Sequence, residues 1–537
     1  MRRVGILFLA VIALIAMSGP VSAQPKVTIT GFVDNVSSWS KNMSVADINP
    51  GRTGDMEWYA RTRVRPDITA EVGTTKFVLG LEIDAVWGQT ANQDTNVCLN
   101  AACPAAVGTQ QRSGASHGWD LNTDAQGVIE VKWAYTEFNL PLIPMATTVR
   151  LGAQPWQATY KLATLANGDF AGVHLSSQLV PMAKLNLTWA QIEESSTGPK
   201  DNFIRGEDYA LILSVEVTPF KGLDIRPIFS YANFDGVTNG ASRQGRGGVG
   251  TGAGVFPTCP GTTGPGTGAC AFPGGAGSGS RSAHEERFTI GVDTRWRFGA
   301  FSLDPTVFYQ FGQRDQVGTN GTFDSLARSA WFVDIRGGWQ AGPLLLEAAA
   351  IYTTGNKASD RIQENGNKLK YYEPISTDTS FYGGWAEVWA LGIDYFNIIR
   401  SGAAGLNPGV AIGYDKYGLI RFGARASYAL TPSFTLRAAA NANWTAEEVD
   451  TSSTLTAGAG LLPGDFSGDS QYLGTEINLG FQWRFVPNVA LDVVGAYMFA
   501  GSALSTHLTT NPNTGVTQNG RDPQDTTAIT ARVRYSW

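Results

Sequence analysis

Apolar and polar residues alternate with period two along most of the chain. In residues 287–298, Phe288, Ile290, Val292, Thr294, Trp296 and Phe298 share one face, while Arg287, Thr289, Gly291, Asp293, Arg295 and Arg297 share the other. Alternation over about ten residues suits a tilted strand with one face in lipid and one in water. After the turn Gly299-Ala300 the pattern resumes. Phe301, Leu303, Pro305, Val307, Tyr309 and Phe311 point one way, and Ser302, Asp304, Thr306 and Gln310 the other. Residues 76–87 repeat it, with Phe77, Leu79, Leu81, Ile83, Ala85 and Trp87 outward and Glu82 and Asp84 inward. So do 331–339 with 344–352, 420–428 with 434–444, and 473–485 with 489–499, each pair across a short turn.

Connection length forms a second pattern. Short turns lie near Gly73, Pro141, Pro181, Pro219, Gly299, Gly342, Pro432 and Pro487. Between them fall long polar stretches: 37–56, 89–126, 155–169, 233–282, 355–382, 446–470 and 501–524. Short periplasmic turns against long extracellular loops predict an all-β fold, a transmembrane antiparallel barrel of about 18 strands, with 16 to 20 as the range. The strand number turns on 381–413, which is either two further strands or part of one large loop. Residues 155–172 either fold into the barrel or stay on its surface. Gln154-Pro155-Trp156 reads there as a strand break and Asn167-Gly168-Asp169 as a turn. The Gly-rich tract 236–280 reads as a loop.

Composition supports a barrel over a string of soluble domains. Of 537 residues, 16% are charged, below the quarter usual in soluble proteins, and 43% are hydrophobic, too few for a bundle of membrane helices. Residues 1–23 form a signal peptide by pattern, cleaved after Ala23: Arg2 and Arg3, an apolar run, then Val21-Ser22-Ala23. No later run reaches the roughly 18 apolar residues of a membrane helix. A secreted chain without helices enters a membrane as a closed barrel, because closure satisfies every backbone hydrogen bond. Residues 24–537 are then the barrel. The strand pattern begins at Val27, so no plug domain is expected ahead of it. The net charge of −6 becomes −8 without Arg2 and Arg3, which argues against nucleic acid as a partner.

Cys98 with Cys103 and Cys259 with Cys270 form two local pairs in loop sequence, read as disulfides in an oxidising compartment. No metal site and no cofactor are expected, since no histidine or second cysteine cluster stands at ligand spacing. His117, His174, His284 and His507 are scattered, and no nucleophile motif such as G-x-S-x-G stands out, so no enzyme activity is expected.

The inward face carries the candidate chemistry. Its arginines are Arg61, Arg63, Arg65, Arg150, Arg287, Arg295, Arg297, Arg336, Arg421, Arg425, Arg437, Arg484, Arg532 and Arg534. Its acids are Glu82, Asp84, Glu130, Asp293, Asp304, Asp334, Glu347, Glu476 and Asp492. Either these are wall charges that pair with one another and keep the lumen wet, or an arginine excess makes the pore mildly anion-selective. The Arg61–Arg63–Arg65 ladder is the best local candidate, because three like charges on one face repel unless acids or solute anions lie between them.

Ile529, Ala531, Val533, Tyr535 and Trp537 share one face of the last strand. That strand resembles the terminal strand of bacterial outer-membrane porins, whose final aromatic residue barrel-assembly machinery reads. The resemblance implies that Tyr535 and Trp537 serve as that signal. Leu151-Gly152-Ala153-Gln154 followed by Asp169-Phe170-Ala171-Gly172-Val173 is similar to a segment of the alginate-export porins, single-chain barrels with an electropositive lumen. Ala153 stands where that family often has Arg. The expected function is passive diffusion of small polar, including anionic, solutes through a barrel in the outer-membrane lipid of a Gram-negative bacterium. A selective channel or exporter for anionic saccharides and a structural or adhesive barrel are the alternatives. The barrel is either a monomer or a homotrimer.

Overall fold

The computed structural model describes residues 25–42, 56–87, 118–119, 129–141, 143–161, 164–193, 208–234, 285–317, 323–357, 360, 368–377, 385–389, 393, 417–449, 468–504, 509–510, 517–518 and 523–537. Eighteen long strands form the wall. They are β1 (Lys26–Lys41), β2 (Met56–Val72), β3 (Thr75–Trp87), β4 (Ile129–Asn139), β5 (Thr147–Gln157) and β6 (Ala166–Val180). Then come β7 (Ala183–Glu193), β8 (Asp208–Phe220), β9 (Leu223–Phe234), β10 (Glu285–Phe298), β11 (Phe301–Val317) and β12 (Phe323–Ala341). The last are β13 (Leu344–Thr353), β14 (Leu419–Thr431), β15 (Phe434–Val449), β16 (Ser470–Val486), β17 (Val489–Ala500) and β18 (Thr526–Ser536). Each pairs antiparallel with its predecessor, and β1 pairs with β18 from Phe32 opposite Ser536 to Lys41 opposite Thr527. The sheet therefore closes, as the alternation predicts.

Trp537 finishes the seam. Its N–H donates to the Gly31 carbonyl at 3.1 Å, and its carbonyl accepts from the Gly31 N–H at 3.2 Å. A Cβ on Gly31 would lie 2.7 Å from the Trp537 ring, so the bare backbone there is what lets the last residue close the ladder. The seven two-residue turns need tight backbone. Gly342 has φ 57° and Asn488 φ 66°, the left-handed region that Gly tolerates freely and Asn tolerates best among the rest.

The outer surface is an apolar belt edged by aromatic rings. On β12, Trp331 and Trp339 are both exposed, eight residues apart. That spacing is about 26 Å along a strand and about 20 Å once tilted, close to the height of a bilayer's apolar band. Trp296, Phe298, Phe301, Trp483, Phe485, Tyr535 and Trp537 extend the girdle on the turn side, and Trp58, Trp87, Trp189, Phe422 and Phe499 on the loop side. No helix among the described residues is long and apolar enough to cross a membrane, which says nothing about a barrel.

Several boundaries differ from the sequence reading. β1 continues through Ser37 to Lys41, and β15 runs past Ala446 to Val449, so the loops expected at 37–56 and 446–470 begin later. Their polar runs hid the strands: Ser38 points inward and meets Thr530 Oγ1 at 2.9 Å. Pro155 does not break β5, which pairs it with Asp169 on β6. It lies past Ala153, the last β5 residue paired with β4, so one edge of the strand there has no ladder partner to lose. The turn expected at Pro219 falls at residues 221–222. Finally, β13 pairs directly with β14, so 354–418 is one connection and 381–413 adds no wall strand. Residues 1–23, expected to be a signal peptide, the Gly-rich tract 236–280 and all four cysteines lie outside the described residues.

Candidate functional site in the barrel interior

By strand geometry a barrel of 18 strands is roughly 35 Å across between backbones, too wide for wall side chains to fill. The interior here has two unlike halves. The half nearer the short turns is lined by charged residues in pairs. Arg63 Nη2 lies 2.6 Å from Asp84 Oδ2 and 3.1 Å from Glu82 Oε1. Arg65 Nε is 3.1 Å from Glu82, and Arg61 Nη1 is 3.6 Å from Asp84. The three-arginine ladder on β2 thus has two acids of β3 threaded between its steps, which removes most of its self-repulsion.

The same pairing recurs around the wall. Arg150 meets Glu137 at 2.5 Å, Arg226 meets Glu216 at 2.6 Å, and Arg295 meets Asp224 at 2.7 Å. Arg297 pairs with Asp304, Arg336 with Asp334 and Arg425 with Glu347. Arg532 meets Asp492 at 2.9 Å, and Arg534 meets Asp34 at 2.5 Å. Arg437 is the least bound of them. It is half exposed, reaches Asp492 only at 3.8 Å and donates to Gln482 at 3.2 Å. Arg484 is exposed one inward position further along β16. The pairs most open to water, Arg295–Asp224, Arg297–Asp304 and Arg425–Glu347, contribute about 1 kcal/mol or less each to stability, so their effect is on the field in the lumen, whereas Asp34, Asp334 and Asp492 are buried beneath their arginines.

The half nearer the long connections is filled by two inward segments. The first is the short connection 158–165 between β5 and β6. The Tyr160 ring lies between two guanidinium groups, 4.0 Å from that of Arg226 and 4.5 Å from that of Arg295. Its backbone N–H donates to Asp293 Oδ2 at 2.5 Å. Lys161 Nζ donates to the carbonyls of Asp304 (2.5 Å) and Asp334 (3.2 Å) and lies 3.7 Å from the Asp293 carboxylate. Burial pushes the Lys161 ammonium below the usual lysine range, while Asp334 and Asp293 pull it back up.

The second segment belongs to the connection between β13 and β14, and it is anchored at three places. Lys368–Leu369 pairs parallel with Ala327 and Arg328 of β12. Beside it, Glu373 accepts from Arg287 at 2.8 Å and Arg328 at 3.2 Å, while Glu285 binds the same two arginines at 2.8 and 2.9 Å. Ser376–Thr377 pairs parallel with Ala166 and Asn167 of β6, six strands away. Tyr372 Oη donates to the Thr164 carbonyl at 2.7 Å, tying the two inward segments together. The third anchor is on β14–β16, diametrically opposite β6. There the buried Glu476 carboxylate accepts the backbone N–H groups of Glu387 (2.6 Å), Val388 (3.2 Å) and Trp389 (3.1 Å). Asn441 donates to the Trp385 carbonyl, and the Trp385 ring lies over the guanidinium of Arg425 at 4.4 Å.

Around these anchors packs a continuous apolar cluster. Phe308 and Phe332 project from the wall into it at ring centroids 6.0 Å apart, and Tyr372, Ile375, Val388 and Trp389 enter from the second segment. Phe234, Ile351, Leu473 and Met498 complete it from other strands. A barrel this wide keeps large apolar residues on its inner face only if something dry lies against them.

The residues expected to line the lumen divide between the two halves of the interior. Arg61, Arg63, Arg65, Glu82, Asp84, Arg150, Arg295, Arg297, Asp304, Arg336, Arg425, Arg437, Arg532 and Arg534 lie in the charged half, Arg61 and Glu82 buried within it. Arg287, Asp293, Asp334, Arg421 and Glu476 also face inward, but they are buried; Arg287, Asp293 and Glu476 hydrogen-bond the inward segments through their side chains and Asp334 through its carbonyl. Arg421 binds Asn441, with the Trp385 ring beside it. Glu130 is exposed at the end of β4, opposite Glu82. Missed were Asp34, Glu216, Asp224, Arg226 and Arg328, which alternation alone predicts, and Tyr160, Lys161, Glu373, Trp385 and Trp389, which no periodicity marks. A signal for the latter group existed on the wall: Phe308, Phe332 and Met498 are large apolar residues on the charged side of the alternation.

No protein-family model matches the sequence, that of the alginate exporters included, and no curated protein matches it. Among solved structures, the chain is similar to OpdQ of Pseudomonas aeruginosa (9% identity, covering 95% of this chain and 98% of that one, TM-score 0.44). It is also similar to OccK8 (OprE) of the same organism (9%, 95% and 98%, 0.45) and OccAB4 of Acinetobacter baumannii (8%, 97% and 100%, 0.45).

Proposed function

We propose that the chain is an outer-membrane channel that passes small polar solutes passively, and that it is a selective pore more than a wide diffusion pore. The observation that carries this reading is the divided interior. A closed barrel with an apolar belt supplies the membrane-spanning wall, a ring of charges on the turn side supplies a polar route, and inward segments anchored on β6, β12 and β14–β16 narrow it. A general diffusion pore needs no such filling.

The route favours small anions. In the turn-side half of β15–β18 and β1, Arg437, Arg484, Arg532 and Arg534 face the acids Asp492 and Asp34, so guanidinium groups exceed carboxylates there. A cleaved signal at residues 1–23, disulfides Cys98–Cys103 and Cys259–Cys270, and recognition of Tyr535 and Trp537 by assembly machinery belong to the same reading; both terminal aromatics are exposed on the lipid face. Reversal potentials in a planar bilayer under a KCl gradient test it. A small unitary conductance with modest anion preference is expected; a large conductance or a clear cation preference overturns it.

A further inference from the structure

The position of Lys161 is unusual for an ammonium in a water-filled barrel. It hangs from the 158–165 connection, is almost wholly buried, and sits in a cage of oxygen atoms supplied by the wall. The carbonyls of Asp304 and Asp334 accept from it at 2.5 and 3.2 Å, and the carboxylates of Asp293 and Asp334 flank it at 3.7 and 4.0 Å. Backbone carbonyls and carboxylates converging on one point are the donor set that hard cations take. The cage is held from outside as well: Thr306 Oγ1 donates to Asp293 Oδ1 at 2.5 Å, the Tyr160 N–H donates to its other oxygen, and Arg336 Nη2 pairs with Asp334 at 2.8 Å. The Lys161 backbone is fixed too, since the hydroxyls of Thr159 and Thr164 both donate to its carbonyl, at 2.6 and 3.3 Å.

We propose that this cage is a cation site whose occupant is the protein's own Lys161 ammonium, and that this tethered cation both pins the 158–165 connection to β10–β12 and sets the ion preference of the pore. The local charges fit. Asp293, Asp304 and Asp334 are balanced by Lys161, Arg297 and Arg336, with Arg226 and Arg295 engaged by Glu216 and Asp224. Without Lys161 the cage carries one uncompensated negative charge beside the route. A distributed wall charge would be averaged out by its neighbours, whereas this one is fixed at the edge of a constriction.

The inference rests on the channel reading for its selectivity arm and is independent of it for its binding arm. The first arm is Lys161→Ala in a planar bilayer. The permeability ratio of K⁺ to Cl⁻ rises about fourfold over the parent, the effect of one unit charge at roughly 10 Å through water. Lys161→Ala with Asp293→Asn returns the ratio to the parental value, because neutrality is restored though the lock is still broken. The second arm is thermal unfolding of Lys161→Ala in detergent with propylammonium, which replaces the atoms lost beyond Cβ. Its melting temperature rises with propylammonium and not with tetramethylammonium, which cannot donate to the carbonyls, and Asp293→Asn abolishes the rise. An unchanged ratio in the single variant, or a double variant that matches the single one, overturns the selectivity role. Equal response to both amines overturns the cation site. If no variant conducts, the channel reading fails and the melting arm still decides the site.

Discussion

The two halves of the barrel interior are built on the same strands by the same alternation, yet they obey different physics. On β12, Arg336 lies in the charged half, whereas Phe332 and Arg328, four and eight residues back on the same face, are buried in the filled half. Near the turns, the side chains of Arg295, Arg297, Arg425 and Arg437 are 35–50% exposed, so their charges meet water as well as their acids, although Asp34, Asp334 and Asp492 beneath the wall arginines are covered. Near the long connections, the same inward face holds Phe308, Phe332 and Met498 in a dry cluster together with the buried network Glu285–Arg287–Arg328–Glu373. A buried charge there is met by protein groups, from the wall (Glu285 for Arg287 and Arg328) and from the inward segment (Glu373 for the same two). A barrel's inner face is therefore not one environment. What it becomes depends on what the connections bring to it.

That contrast can be broken in three ways. Replacing residues 358–415 by a short Gly/Ser linker removes all three anchors of the second inward segment. Unitary conductance should then rise several-fold, and a conductance equal to the parent's would show that the filled half does not limit the route. Next in size, Trp389→Ala opens a cavity in the apolar cluster and should cost about 3–5 kcal/mol in urea unfolding of the refolded barrel. A loss under about 1 kcal/mol would mean that the cluster is not packed as a core. Smallest is Arg437→Gln, at the half-exposed arginine of the turn-side half. It should cost about 1 kcal/mol or less by the same measurement and move the reversal potential slightly toward cations. A stability loss as large as that of Trp389→Ala would erase the distinction between the halves.

How much of this the sequence shows follows from the range of the forces involved. The faces of Arg63, Asp84, Arg295, Asp304 and Arg532 are legible because each is fixed by its neighbours two residues away. The ends of β1 and β15 were not, because Ser38 and the polar run after Ala446 carry no apolar partner to mark the alternation. Pro155 misled for the opposite reason: it is a strong local breaker placed where β5 has no neighbour on one edge. Glu476 was recognised as inward, but its partners, the N–H groups of 387–389, lie nearly ninety residues away in a stretch without period.

By itself the sequence determined the closed antiparallel barrel, the side on which the turns are short, the lipid belt and the terminal strand ending at Trp537. These follow from period two, turn chemistry and the need of every backbone N–H in a membrane for a partner. Only the tertiary structure decided that residues 158–161, 164–165, 368–377 and 385–389 turn inward, and which charges they cover. Tyr372 meets Thr164 across 208 residues of chain, and Lys161 meets Asp304 across 143. Contacts at such separations are selected by the shape of the closed wall, and a loop leaves no periodic trace of them.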